Sequence, residues 1–320
     1  MTAVPRSFWI LLACIWAGGF AAARIVAQDK SIPWGLAVAV LPAVLVELSL
    51  YAAQAYETLR QQIPQAAVGL SGAVVYAILA APVGMFSWIS FLTLAAGGLV
   101  LVFWFRIWPR SVAADIGFAA LMAAPVLFKL FSQYYPRPHE VLRMEFLGQL
   151  FWIRAGVASV LNERPQKGIN FGFLPAVGEW KTGVICYALL LPLVLAGAAL
   201  TGFARFAWPE LAVGRLLLTA IATFAGILWV VALSEEFFFR GLLQQWFEQW
   251  TGNAWAGLLA ASLLFGAAHL GFRQFPNWRF ALLAGLAGIF YGLAFRRGHG
   301  IRAAMVCHAL TVTTWRLLFR

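Results

Sequence analysis

The sequence predicts an all-α fold: a polytopic transmembrane helical bundle of about eight to ten spans, with an interfacial helix in a central loop. Two observations carry this reading. The 320 residues are 62% hydrophobic and only 11% charged, with a mean hydropathy of +0.83, whereas soluble domains carry about a quarter charged residues. Apolar runs of about 20 residues, the length that crosses a hydrocarbon core, recur along the chain. Such runs must be helical, because lipid offers no partner for exposed backbone groups.

The net charge is +11. Its arginines are scattered between apolar runs rather than gathered in a basic domain, which fits loops at a membrane surface. The bilayer is therefore the expected partner, and nucleic acid is not. Of three cysteines, Cys14 and Cys186 lie in apolar runs and Cys307 sits beside His308. Without a CxxC spacing, neither a disulfide framework nor a thiolate zinc site is expected.

The first run, 8–27, follows a single Arg6 and reads as a retained signal anchor, being long and followed by further spans. Spans follow at 34–55, 66–85, 87–105 and 112–131. Polar content then rises over 132–181, which includes YYPRPHE and NERPQKG. Inside it, Leu147, Leu150, Phe151, Val157 and Leu161 recur at helical spacing and Arg154 interrupts them, the pattern of a helix lying in the interface. A short or re-entrant span is the rival reading. Five more spans follow at 183–203, 216–239, 254–270, 280–295 and 301–319. The expected organisation is thus 1–131, N-terminal spans of unassigned role; 132–181, an amphipathic connecting region; and 182–320, a C-terminal bundle. The arginine and lysine pattern assigns no orientation: a cytoplasmic N-terminus suits the short loops but leaves the basic region 137–181 outside.

Ionisable residues inside a membrane cost several kcal/mol and are functional candidates by default. The last ninety or so residues concentrate them. Glu235, Glu236 and Arg240 end one run in SEEFFFRG, His269 ends the next in LLFGAAHLG, and His308 lies within the last in AAMVCHALTVTTW. Adjacent helical residues point about 100° apart, so Glu235 and Glu236 cannot face one point together. Glu236 and Arg240, four apart, can pair along one face, leaving Glu235 the freer carboxylate. A carboxylate beside a histidine can take a proton from water, and a second imidazole can donate to an oxyanion. These parts suffice for peptide hydrolysis without a covalent nucleophile. Singly, each residue has a plain structural reading, an ion pair or an interhelical hydrogen bond. Glu47, deep in the second run, and Asp115 are weaker candidates, with Lys129 or another distant residue as a possible partner for Glu47.

Competing chemistries are less well supported. HExxH is absent, although two carboxylates and two histidines could in principle ligate zinc. No GxSxG or paired aspartates occur in the spans. A proton-coupled transporter also uses Glu–His–Arg sets, but matching interrupted helices in two halves are not evident.

The segment 234–241, SEEFFFRG, carries the EExxxR motif of the CPBP intramembrane protease family, which includes type II CAAX prenyl endopeptidases and bacteriocin-processing and immunity proteins. FGAAH, 265–269, resembles its FxxxH motif, and His308 stands where its HxxxN motif begins. The resemblance covers roughly 183–320. It implies an all-helical fold with a cavity between spans, and glutamate-activated water without metal or other cofactor. Glu235 would be the base, His269 would share the water, Glu236 and Arg240 would hold the site, and His308 would help form the oxyanion hole. The implied partner is a membrane-embedded peptide or protein substrate, with a lipidated C-terminus as one option, and the implied location is a bacterial inner membrane. The departure is Val312, where the family has asparagine. Thr311, three residues from His308, is the expected auxiliary donor in its place. The same departure admits a non-catalytic binding or immunity protein.

Overall fold

The computed structural model describes residues 4–169, 172, 174–272 and 274–319; the outermost residues of the predicted divisions, 1–3 and 320, lie outside them. The chain divides into two compact units, Met1–Pro165 and Gln166–Arg320. Regular structure in both is helical. Among the described residues, six helices are long and apolar enough to cross a membrane, and three more apolar helices are shorter. The protein is thus an integral, multi-pass, all-α membrane protein.

The first unit contains α1 (Arg6–Asp29), α2 (Trp34–Ala55), α3 (Gln65–Ala80), α4 (Trp88–Ile107), α5 (Val112–Leu127) and α6 (Glu145–Glu163). The helix expected to lie in the interface is α6, and the structure corrects that expectation. Its side chains from Leu150 to Val160 are all buried, and it packs against α2, α3, α4 and α5. The connecting region expected at 132–181 is accordingly divided, with α6 forming the core of the first unit. The cause is Arg154. Its Nε and Nη2 each donate to one oxygen of Glu47 at 3.0 Å, and Nη2 also donates to Ser71 Oγ at 2.8 Å. Both charges are buried. A guanidinium that looks like an interfacial interruption is thus neutralised inside the bundle, as a buried charge must be. The partner of Glu47 is Arg154, not Lys129. Asp115 likewise meets Arg164 at 2.6 Å. Glycines let α3 and α4 approach closely: a Cβ on Gly98 would fall 2.1 Å from the Gly69 carbonyl oxygen. Small residues at crossings are the usual means of close packing in lipid.

The second unit contains α7 (Val177–Thr201), α8 (Val213–Thr251), α9 (Ala254–Ala268), α10 (Trp278–Arg297) and α11 (Ile301–Leu318). The run predicted to end at 239 continues as helix to Thr251. It is interrupted by two π-helical stretches, Ile227–Ala232 and Phe237–Gln244. Gly252, at φ +67°, ends α8 in the left-handed conformation that glycine adopts without penalty. Asn253 then starts α9 by accepting from the Trp255 and Ala256 amides. α11 is buried from Ala303 through Ala309 and packs on α7, α8 and α10. The segment after α7 returns to the end of α11, where Ala207 N donates to the Leu318 carbonyl at 2.8 Å.

Candidate active site

The two adjacent glutamates occupy a single α-helical turn, Leu233–Glu236, between the π-helical stretches of α8. π-Bulges recur at functional sites because they re-aim side chains within a continuous helix. Here the neighbours have different surroundings. The side chain of Glu236 is fully buried, whereas that of Glu235 is 31% exposed and lines a cavity of about 520 Å³.

Two groups hold Glu236. Arg240 Nε lies 3.2 Å from one oxygen, four residues along α8. His308 Nδ1 lies 2.7 Å from the other. Arg240 is held in turn: its Nη2 donates to the Gly288 carbonyl at 2.8 Å, and the guanidinium stands 4.7 Å from the Phe265 ring centre, within cation–π range. Gly288 gives this arginine room, since a Cβ there would come 3.2 Å from Arg240 Nη2.

His308 therefore joins the two carboxylates. With the carboxylate of Glu236 as acceptor, Nδ1 carries the proton, and Nε2 lies 3.8 Å from Glu235 Oε2. That gap is too long for a direct hydrogen bond and of the scale a bridging water spans. The imidazole stacks on Tyr291, with centres 4.6 Å apart and planes 10° from parallel. His269, at the C-cap of α9, lines the same cavity. Its Nδ1 is 2.7 Å from the Phe265 carbonyl. A carbonyl only accepts, so Nδ1 carries the proton and Nε2 presents a lone pair. Phe265 packs against both imidazoles, 4.8 Å from His269 and 5.9 Å from His308.

The structure thus brings together Glu235, Glu236, Arg240, His269 and His308. Thr311 also faces the cavity, but its hydroxyl donates to the Cys307 carbonyl at 2.8 Å. A threonine has one hydroxyl proton, so in this arrangement Thr311 offers lone pairs rather than the expected oxyanion donor. Val312 lines the cavity too. Among the described residues, no three His, Cys, Asp or Glu side chains converge in a metal-holding arrangement.

Tyr291, Phe265 as a ring platform and Gly288 escaped the sequence reading. A signal for α10 was present in Gly285, Gly288 and Gly292, which recur along one face. Gly288 meets Ser262, and Gly292 meets Gln244 and Leu258. That stripe marks the side of α10 turned toward the site, which carries Tyr291.

The apolar multi-pass bundle thus carries a buried glutamate–arginine–histidine cluster that opens on a cavity. Among known families, residues 216–314 match the one described as Type II CAAX prenyl endopeptidase Rce1-like. The match covers the segment bearing all three motifs and supports its resemblance to CPBP intramembrane proteases. No curated protein and no solved structure matches the chain.

Proposed function

We propose that the protein is a glutamic intramembrane endopeptidase that cleaves membrane-embedded or lipidated peptides with activated water. One observation carries the reading: Glu235 reaches the cavity while its neighbour Glu236 is locked between Arg240 and His308. Glu235 takes a proton from water held between it and the histidines. The resulting hydroxide attacks the scissile carbonyl. His308 stabilises the oxyanion, which requires a proton on its Nε2 as well as on Nδ1. Collapse of the tetrahedral intermediate returns the proton from Glu235 to the leaving amine. His269, whose Nε2 carries a lone pair, accepts a hydrogen bond from the water and orients it. Glu236 and Arg240 position His308 and do not touch the reacting atoms. Predominantly apolar walls, including Phe203, Phe272, Phe280 and Trp315, support a greasy substrate. A bacterial plasma membrane is proposed on the resemblance alone.

The test is Glu235→Gln, read by cleavage of a membrane-soluble peptide in detergent. Loss of cleavage by about 10³-fold or more, with the variant as thermally stable as wild type, is expected for loss of a general base. Full activity would remove Glu235 from the role. A metal-independent reaction predicts unchanged turnover in strong chelator; inhibition reversed by zinc would make these side chains ligands instead. Val312 favours a second reading, a non-catalytic binding protein, and the absence of cleavage in wild type across a peptide library would select it.

A further inference from the structure

Part of the cavity wall is not helical. α7 ends at Gly202, whose φ of +60° turns the chain through the left-handed conformation open to glycine. Residues 203–212 then run as a strap to α8. Phe203 and Ala204 of this strap line the cavity. The Phe203 ring bridges two rings from different helices. Phe280 of α10 lies 5.3 Å away and 8° from parallel, and Trp315 of α11 lies 5.7 Å away and 26° from parallel. Both line the same cavity. Phe280 in turn meets His269 edge-on at 4.9 Å, so Phe203 stands one ring away from the imidazole assigned to the water. The two partners are fixed and the occupant is not. Asn277 caps the Phe280 amide in the first turn of α10, and Trp315 is braced by Phe319 at 5.0 Å. Phe203 hangs from the strap, whose next rings, Phe206 and Trp208, are 62% and 65% exposed. An incoming ring remakes the contacts that Phe203 gives up, because stacking depends on ring faces and not on the chain that carries them.

We infer that Phe203 is the internal occupant of an aromatic subsite, and that a planar side chain of the substrate displaces it against Phe280 and Trp315. Phe203 is thereby a specificity-determining residue. The subsite is one ring from His269, and an extended peptide advances about 3.3 Å per residue, so the recognised side chain lies within about three residues of the scissile bond. Two ring faces select a flat group over a puckered or branched one of equal bulk, because only the flat group stacks on them. The inference deepens the proteolytic reading of the site and rests on it. The plain structural role for Phe203 is to pack the strap on the bundle. It makes no demand on the substrate, and loss of the ring would then weaken all peptides alike.

The experiment uses the full-length protein in detergent and one dye-labelled membrane peptide carrying phenylalanine, cyclohexylalanine or alanine at each position within three residues of the scissile bond. Binding is read on Glu235→Gln and cleavage on the parent. At one position, Phe203→Ala is expected to bind the phenylalanine peptide about tenfold tighter, the scale of two ring stacks no longer contested, and to lower its KM to match. The cyclohexylalanine peptide should gain much less and the alanine peptide nothing. Unchanged or weaker binding of the phenylalanine peptide at every position overturns the inference, and so does an equal gain for all three peptides. A second variant tests the strap without removing the ring. Phe206 and Phe319 are partners in an antiparallel bridge, where Cα atoms lie about 4.5–5.5 Å apart, within the range a disulfide takes. Phe206→Cys with Phe319→Cys, in a chain whose exposed Cys14 is changed to serine, should lock the strap on oxidation. The preference for phenylalanine over cyclohexylalanine should then vanish and return on reduction; a preference that survives the lock overturns the inference even if Phe203→Ala fails to fold. Ring-selective binding by Glu235→Gln with no cleavage by the parent counts against the proteolytic reading and not against the subsite.

Discussion

His308 takes its position from two sequence neighbours with different surroundings. One carboxylate is buried and holds Nδ1 at 2.7 Å; the other is partly exposed and lies 3.8 Å from Nε2. Residue-scale predictions follow from this asymmetry. Glu236→Gln keeps the shape but weakens the grip on His308 and leaves Arg240 with an unneutralised charge. Both stability and turnover should fall, by about 3–5 kcal/mol for the broken buried pair, measured by thermal unfolding in detergent. Val312→Asn restores an amide donor to the cavity wall. It should raise kcat by about tenfold or more, toward the 10²–10³-fold range of one oxyanion donor, with little change in KM. Thr311→Val should cost far less than such a donor, because its hydroxyl proton goes to the Cys307 carbonyl; a fall as large as about 10² would mean that the hydroxyl turns to the substrate during reaction. The order of Glu235, Glu236, Arg240, His269 and His308 was legible in sequence through charge in apolar runs and helical spacing. The Thr311 bond was not, since spacing gives the face of a side chain and not the backbone group it finds. Tyr291 was not either, because its stacking on His308 depends on the crossing of α10 and α11.

At the scale of elements, the helices legible in sequence were those whose apolar runs were unbroken. α2 and α10 match their predicted extents within a few residues. α6 was misplaced because Arg154 punctuates it, and its neutralising partner Glu47 is 107 residues away. The π-helical stretches of α8 were equally hidden: a wider turn leaves no mark in a run that is apolar on most sides. Packing supplies further predictions. Arg154→Met strands a buried carboxylate and should cost about 3–5 kcal/mol, whereas adding Glu47→Leu should recover most of it. If the double variant is no more stable than the single one, the pair has a role beyond neutralisation. Gly98→Ala pushes a methyl into the Gly69 carbonyl and should destabilise by about 1–3 kcal/mol, seen as a lower Tm in detergent.

At the scale of the whole molecule, the charges inside the apolar mass close as pairs: Glu47 with Arg154, Asp115 with Arg164, and Glu236 with Arg240. Composition made the membrane class legible, and the motif order made the second unit legible. The division at Pro165 was legible only as a break somewhere in the polar stretch 132–181, because the rise in polarity begins before α6, whose Arg154 is neutralised inside the first unit. The Glu47–Arg154 pair also sets a schedule. The ribosome makes Glu47 107 residues before Arg154, and at about 5–20 residues per second that is roughly 5–20 s. For that interval α2 is a nascent span carrying a carboxylate with no guanidinium to meet it. A chain truncated after α5 never receives one, so it should be cleared rapidly by membrane quality control in pulse-chase labelling, and Glu47→Leu should lengthen its half-life. The pair that stabilises the finished protein thereby distinguishes it from its own incomplete forms, and a proteostasis system can read the first unit as unfinished until α6 has emerged.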